Sequence, residues 1–358
     1  MSIESGKSAN WFNQWEQKGR GSLLFDEPVD IEPAFEPFFF SGVQSSQPVI
    51  QEKQVSVIGR LFQSVKKTIS TQRTFEQDFL PVKKDPVAFA SQAAGKPVCM
   101  HIVWPSKDRT VSLPDILSAC RYQLSFEIVV INNTVTLQLI CDEKDAACLQ
   151  TQLSSSGFRY IVAEDLLPAL LEQTPQITGY GFGDAFIKPI NTTFSKEENL
   201  LSLVTGVKDA TLALQVVFKP VANNWSESIL RWAMIRKEEQ LFEREPGLAE
   251  LVKQKTAAPL YAAVIRTIVC SPDASTRNNY ARKAEQAVVH LSRSAVNALT
   301  PLSDKNYHIV NHSEDVLLRR SHRTGILVNS KELAGFVRIP AKEQPAAGLY
   351  VKTDRQNS

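Results

Sequence analysis

The sequence predicts an α+β fold, in which a ferredoxin-like βαββαβ module is followed by a second, enlarged α/β module of related topology. Apolar, β-branched runs alternate with amphipathic helical segments from residue 96 onward, in the order of a split βαβ unit. Asn132-Asn133 separates two such runs, as in a tight β-hairpin. The same order of elements recurs further along the chain, with additional helix. With 358 residues, the chain is long enough for two or three domains.

The first module is predicted from residue 96 to residue 175. Ser112 is the expected helix cap, with Pro114 in the first turn, and Gly157 is the expected end of the second helix. The predicted elements are a strand over 98–104, a helix over 112–122, strands over 125–131 and 135–141, a helix capped by Asp142, and a strand over 158–162.

The second module is predicted from residue 176 to residue 340, and its relation to the first is one of topology rather than residue-level repetition. The predicted elements are a strand over 180–190, a helix over 195–204, a strand over 211–218, helices over 224–245 and 248–255, a strand over 260–270, a helix over 275–299 and a strand over 307–310. Residues 341–358 are expected to form a C-terminal tail.

Residues 1–95 are the least regular part and are interpreted as an N-terminal arm with a helix. Pro28, Pro33 and Pro37 exclude a continuous helix or a central strand over residues 25–40. Such an arm either packs on its own protein or binds a partner. The candidate partner-binding residues are aromatic: Trp11, Trp15, Phe38, Phe39 and Phe40.

Composition is that of a soluble globular protein, with 43% hydrophobic and 22% charged residues. The net charge of +2 implies that any nucleic-acid surface must be a local patch. The sequence contains no apolar run long enough to span a membrane and no secretory signal, so we expect a cytoplasmic protein. Five cysteines without a C-x-x-C pair indicate reduced, buried thiols.

The sequence contains no recognisable catalytic, metal or cofactor motif. It contains no H-E-x-x-H pair, no G-x-S-x-G elbow and no G-x-x-x-x-G-K-[ST] phosphate loop. The glycine-rich segment 179–183 is predicted to open a strand, where no helix N-terminus could hold an anion. We therefore expect a protein without catalytic activity, cofactor or metal; an enzyme whose site is assembled from dispersed residues is the least favoured alternative.

The segment from Leu317 to Pro340 combines a basic cluster with a sharp strand-to-helix turn. Asn329 is a predicted N-cap, and Glu332 stands where a capping-box partner belongs. The cluster contains the candidate DNA or partner contacts Arg319, Arg320, His322 and Arg323. Phosphate binding by these side chains would be strongly salt-dependent. They could equally pair with acidic residues of a partner protein.

This segment resembles the one that closes the N-terminal domain, just before the motor, in the DNA-translocating ATPases of conjugative type IV secretion and their HerA/FtsK-class relatives. The similar phrases are Leu327–Ala334 and Ile339-Pro340, with weaker likeness at 125–128, 215–220, 225–230 and 259–266. The chain departs from the full-length ATPases because it has no phosphate loop.

The resemblance implies a scaffold or partner subunit of a ring-forming P-loop ATPase, assembled as an oligomer and possibly contacting double-stranded DNA, in conjugation or antiviral defence. The motor would be a separate chain or a missing C-terminal part. The alternative is a stand-alone nucleic-acid-binding protein with ferredoxin-like sheets and basic patches.

Overall fold

The computed structural model describes residues 23–24, 27–28, 95–103, 111–117, 120–184, 187–194, 207, 209–220, 247–303, 312–321, 325–339 and 350–351. The strands are β1 (Leu23–Leu24), β2 (Glu27–Pro28), β3 (Pro97–Val103), β4 (Val111–Ser112), β5 (Leu124–Ile131), β6 (Thr134–Asp142), β7 (Arg159–Val162), β8 (Pro175–Phe182), β9 (Thr211–Pro220), β10 (Leu260–Cys270), β11 (Leu299–Pro301), β12 (Ile326–Asn329), β13 (Arg338–Ile339) and β14 (Tyr350–Val351). The helices are α1 (Leu113–Leu117), α2 (Glu143–Ser155), α3 (Leu167–Leu170), α4 (Leu248–Thr256), α5 (Ala274–Ser292), α6 (His312–Leu317) and α7 (Ser330–Leu333).

Within these residues, ten strands form one sheet, which confirms the mixed α+β class. Eight of them follow the order β11-β8-β10-β9-β5-β6-β3-β7, while β12 pairs with β10 and β14 with β6. Every pairing in this sheet is antiparallel except that of β14 with β6. The centre of the path is the antiparallel pair β5–β9, in which Glu127 lies opposite Gln215.

The two faces of the sheet are covered differently. Because successive strand residues point to opposite faces, Phe126, Ile128 and Val130 of β5 contribute to the larger hydrophobic core. That core also takes residues from α1, α2, α4, α5 and α7. Val129, on the other face, belongs to a smaller cluster formed with α3 and α6. Glu127 shares that second face by its alternation with Val129.

Local sequence signals explain several element boundaries. The predicted hairpin is present: Asn132 and Asn133 have φ of 50° and 60°, which Asn tolerates better than most residues. Asp142 caps α2 by accepting a hydrogen bond from the Lys144 backbone N–H at 2.9 Å. Gly157 follows that helix with φ of 78°. The predicted strand over 260–270 agrees with β10.

Two predicted helix ends are wrong. The long helix ends at Ser292 rather than 299, because the Ser294 side chain accepts backbone N–H groups of Val296 and Asn297 and so turns the chain. Residues 299–301 instead pair with β8. The first helix covers Leu113–Leu117 rather than 112–122. Its expected cap, Ser112, directly precedes Leu113 and lies opposite Arg338 in the pairing of β4 with β13.

The strand predicted over 180–190 is β8, which covers Pro175–Phe182. After it, the chain leaves the sheet at Asp184, whose backbone N–H donates to Asn297 Oδ1 at 3.0 Å. The predicted helices over 195–204 and 224–245 and the predicted strand over 307–310 lie outside the described residues.

Candidate functional site

The centre of the sheet carries a row of polar side chains on the face covered by α3 and α6. The strand registers place Gln138 opposite Glu127, Glu127 opposite Gln215, and Gln215 opposite Arg266. All four residues are buried. Each lies in a mainly apolar strand, so its burial requires hydrogen bonds or ion pairs within the protein.

Glu127 is the centre of this row, and its side chain has no solvent exposure. Its Oε1 accepts hydrogen bonds from Ser125 Oγ and Gln215 Nε2, both at 2.7 Å. Its Oε2 accepts one from Gln138 Nε2 at 2.5 Å. Arg319 supplies the opposite charge, with Nε 3.0 Å from Oε1 and Nη2 3.2 Å from Oε2. This two-point contact is the geometry in which an arginine pairs best with a carboxylate.

Arg319 reaches Glu127 from the turn that ends α6. The Leu318 N–H donates to the Glu314 carbonyl at 2.9 Å, and the Arg320 N–H donates to the Asp315 carbonyl at 2.9 Å. Arg319 itself adopts φ of 50°, the left-handed conformation common where a helix ends. The turn thus directs its side chain under the helix and onto the sheet.

Arg319 also bridges to Asp165, just before α3, with Nη2 2.8 Å from Oδ2. Burial opposes the charge of Arg319, but Glu127 and Asp165 outweigh it and raise its pKa above the ordinary value. The guanidinium therefore stays charged and holds together three elements that are far apart in sequence: β5, the segment before α3, and the end of α6.

Arg266 is the second buried guanidinium of the row. Its Nε donates to Gln215 Oε1 at 2.5 Å. Its Nη1 donates to the Arg320 carbonyl at 2.9 Å, and its Nη2 donates to the Asp315 carbonyl at 2.8 Å. Burial lowers the pKa of Arg266 to about 10, although Asp315 and Glu127 act in the opposite direction. These hydrogen bonds hold the C-terminal end of α6 against β10. We call Glu127, Gln138, Gln215, Arg266 and Arg319 the central polar network.

The structure divides the basic cluster predicted from sequence. Arg319 is buried in the central polar network, with a side chain 9% exposed. Arg320 is partly exposed at 31% and pairs with Glu314 at 3.0 Å and Asp315 at 2.9 Å. His322 and Arg323 lie outside the described residues, as do the aromatic arm residues Trp11, Trp15, Phe38, Phe39 and Phe40.

A second buried ion pair lies beneath the strand-to-helix turn near the C-terminus. The predicted capping box is present, since Asn329 Oδ1 accepts from the Glu332 N–H at 2.9 Å and Glu332 Oε2 accepts from the Asn329 N–H at 2.7 Å. Glu332 also contacts Lys255 Nζ at 2.8 Å, with both side chains fully buried. Burial lowers the pKa of Lys255, against the opposing effect of Glu332.

This pair ties the turn at Asn329–Glu332 to other elements of the fold. Glu332 Oε1 accepts from the Ile190 backbone N–H at 2.8 Å. The Lys255 ammonium lies 4.7 Å from the centroid of the Phe182 ring. The turn is therefore anchored to α4, to the segment after β8, and to β8 itself.

Metal and membrane signals are absent within the part of the chain that the structure describes. In those residues, no three His, Cys, Asp or Glu side chains are grouped to hold a metal ion. No described helix is long and apolar enough to cross a membrane. All five cysteines are free thiols; Cys148 is half-buried, and the rest are buried.

Sequence reasoning missed the centre of the site. Glu127, Gln138, Gln215 and Arg266 each occur as the single charged or amide residue near the middle of a strongly apolar strand. That pattern was the available signal, because a polar side chain at an inward strand position must be satisfied by another element. The pattern does not indicate which element supplies the partner of each polar side chain.

A comparison with curated proteins finds no match to this sequence. A family model described as a domain of unknown function, DUF8128, matches residues 114–347. The matched region begins in α1 and contains the whole central polar network and the Lys255–Glu332 pair. Since it covers well over half of the 358 residues, the chain belongs to the DUF8128 family.

Proposed function

We propose that this protein is a non-catalytic scaffold subunit that assembles with a separate ring-forming, DNA-translocating ATPase of the HerA/FtsK or type IV secretion kind. The observation that carries the proposal is the rigid attachment of the segment resembling the pre-motor segment of those ATPases. Two buried ion pairs, Glu127–Arg319 and Lys255–Glu332, hold that segment on the sheet at both of its ends. A segment fixed in this way can transmit position and load to a docked partner.

Strand order supports the finer description of the fold as two ferredoxin-like modules. In the first module, the strands follow the order β7-β3-β6-β5, that is fourth, first, third and second. In the second, β11-β8-β10-β9 repeats the same order. The second strands β5 and β9 pair with each other, so the two modules are related by a pseudo-twofold axis near Glu127 and Gln215. We propose module limits of 96–175 and 176–340.

The short helices extend this repetition. In each module a short helix follows the fourth strand: α3 follows β7 and α6 follows β11. Both contribute to the smaller hydrophobic cluster on the second face. The central polar network breaks the symmetry, because Glu127 is matched by a neutral amide at Gln215, and Gln138 by a cation at Arg266. Because of this asymmetry, the cation that pairs with Glu127 comes from the end of α6, at Arg319.

We propose that the exposed side of the α6 turn is the docking surface for the motor. Leu318 is 56% exposed there. Arg320 and Glu314 flank it, and both remain partly exposed in their ion pair. An apolar side chain beside a charged rim is the arrangement found at protein interfaces. His322 and Arg323, which follow Arg320 in the sequence, are further candidate contacts to the motor or its duplex DNA.

The aromatic N-terminal arm has a separate role in this proposal. Trp11, Trp15, Phe38, Phe39 and Phe40 would bind neighbouring subunits, because large aromatic side chains provide much of the binding energy at interfaces. The assembly would act in the cytoplasm, in conjugation or in defence against foreign DNA.

The experiment that tests the proposal is purification of the native complex from its own host, followed by mass determination of every component. We expect a P-loop ATPase in stoichiometric amount. A protein that purifies alone and retards duplex DNA with a steep salt dependence would refute the scaffold proposal and favour a stand-alone nucleic-acid-binding protein. A protein that purifies alone and binds no nucleic acid would refute both.

A pair of variants tests the proposed docking surface. Leu318→Asp should remove the ATPase from the purified complex, because it places a charge in the apolar centre of the contact. Ile161→Asp is the matched control, since Ile161 is also 56% exposed but lies on β7 at one edge of the sheet. Equal loss of the ATPase from both variants, or from neither, would show that the motor docks elsewhere.

A further inference from the structure

Two thiols meet in the first module, where the segment after α1 crosses α2. The buried Asp145 of α2 holds this segment through its Oδ2 atom. That oxygen accepts the backbone N–H groups of Arg121 at 2.9 Å and Tyr122 at 2.7 Å. The Lys144 ammonium lies 5.2 Å from the centroid of the Tyr122 ring. Cys120 is therefore held against one particular turn of the helix.

Cys148 lies on the same side of that helix. It follows Asp145 by three residues, the spacing that places two side chains one above the other on an α-helix. The thiols of Cys120 and Cys148 are in hydrogen-bonding contact. Cys120 is 2% exposed, whereas Cys148 is half-buried and reachable from solvent.

We propose that Cys120 and Cys148 form a reversible intramolecular disulfide by exchange with a small-molecule disulfide such as oxidised glutathione. The pair is then a redox modification site within the first module.

The exchange requires two steps. The Cys148 thiolate attacks one sulfur of the glutathione disulfide, forming a mixed disulfide and releasing one glutathione thiolate, which takes up a proton. Cys120 then loses its proton and attacks the Cys148 sulfur, releasing the second glutathione. Two protein thiols are oxidised to one disulfide, and one glutathione disulfide is reduced to two thiols, so electrons and protons balance.

The two cysteines have different roles because their environments differ. Burial, reinforced by the charge of Asp145, raises the pKa of Cys120 to about 12, so its thiol is a weak first attacker. Of the two thiols, Cys148 is the less buried, so it is the one that meets a dissolved disulfide first. Burial also raises the pKa values of Cys99 and Cys270. These two thiols are internal references for the reactivity of a buried cysteine in this protein.

Oxidation would tighten a segment that supports the α6 turn. Gln123, three residues after Cys120, donates from Nε2 to the Arg319 carbonyl at 2.5 Å. A Cys120–Cys148 bond would fasten this segment covalently to α2. The position of the turn would then depend on the redox state of a site on another element.

The test equilibrates the full chain with glutathione buffers of increasing oxidised fraction, followed by thiol alkylation and peptide mapping without reduction. We expect a peptide pair linked between Cys120 and Cys148, and a protein mass lower by two hydrogens. Reduction should restore both free thiols. A stable glutathione adduct on Cys148 with Cys120 still free, or no modification at any ratio, would overturn the proposal.

Variants distinguish a specific pair from general oxidation. Cys148→Ser removes a half-buried sulfur and should abolish the linked peptide, while Cys270→Ser, the matched control, should leave it unchanged. Cys120→Ala should convert the product into a Cys148–glutathione adduct. The peptide map of the wild-type protein uses no substitution, so the proposal can still be tested if the Cys120 variant misfolds. Linkage of Cys120 to Cys141 in similar amount would contradict the assignment.

Discussion

Loss of the Arg319 charge should destabilise the fold strongly, because it would leave Glu127 buried without a cation at its carboxylate. In Arg319→Met, Glu127 keeps its hydrogen bonds from Ser125, Gln138 and Gln215, all neutral donors. Removing one partner of a buried ion pair costs about 3 to 5 kcal/mol. Asp165, whose side chain is 27% exposed, loses its partner too but remains partly hydrated. We therefore expect the main cost to come from Glu127.

The assay is equilibrium urea unfolding of the full chain, completed as a double-mutant cycle with Glu127→Gln. The double variant carries no uncompensated charge at this position, so it should recover at least about 2 kcal/mol of the loss in Arg319→Met. Arg319→Gly also removes the guanidinium, but glycine adopts the φ of 50° without cost. Comparing it with Arg319→Met therefore shows whether backbone strain at this position affects the measured loss. A loss below about 1 kcal/mol in Arg319→Met, or a double variant as unstable as the sum of the single ones, would refute the reasoning.

Three further predictions concern local structure. Gly335→Ala should lower the free energy of unfolding by about 1 to 3 kcal/mol in a urea titration, because the added methyl group would overlap the Phe194 ring; Gly179→Ala, which meets nothing within 4 Å, should lack this clash and lose less. Asn133→Gly should raise the melting temperature slightly, and Asn133→Val should lower it, because the hairpin requires φ of 60° there. Hydrogen bonds from Thr276 lower the pKa of Asp273, which caps α5. Its contribution to stability is therefore present above the unfolded-state pKa and lost as pH falls through the lower folded-state value, so the melting temperatures of wild type and Asp273→Ala should converge in acid.

Short-range signals in the sequence determined much of the local structure. The hairpin at Asn132-Asn133, the Asp142 cap and the Asn329–Glu332 capping box involve residues at most a few positions apart. Their geometry follows from turn and helix-end chemistry, which needs no other element. The apolar runs likewise determined most strands, because a buried strand is recognisable by composition alone.

Helix and strand ends that depend on distant partners were placed less well. The first helix was predicted to continue to residue 122, but it ends at Leu117, and the backbone N–H groups of Arg121 and Tyr122 donate to Asp145 of α2. The long helix was predicted to continue to Leu299, yet residues 299–301 pair with β8. In both cases a tertiary hydrogen bond outweighs a weak local preference.

The candidate site was decided by tertiary structure alone. In the sequence, Arg319 is one member of a basic cluster that includes Arg320, and Glu127 is an isolated acid in an apolar strand. Their contact joins residues 192 positions apart, a separation over which no periodicity or cap carries information. Burial of one charge forces its pairing with another, so the sequence determined that Glu127 needed a partner, and only the packing of α6 across the β5–β9 junction decided that the partner is Arg319.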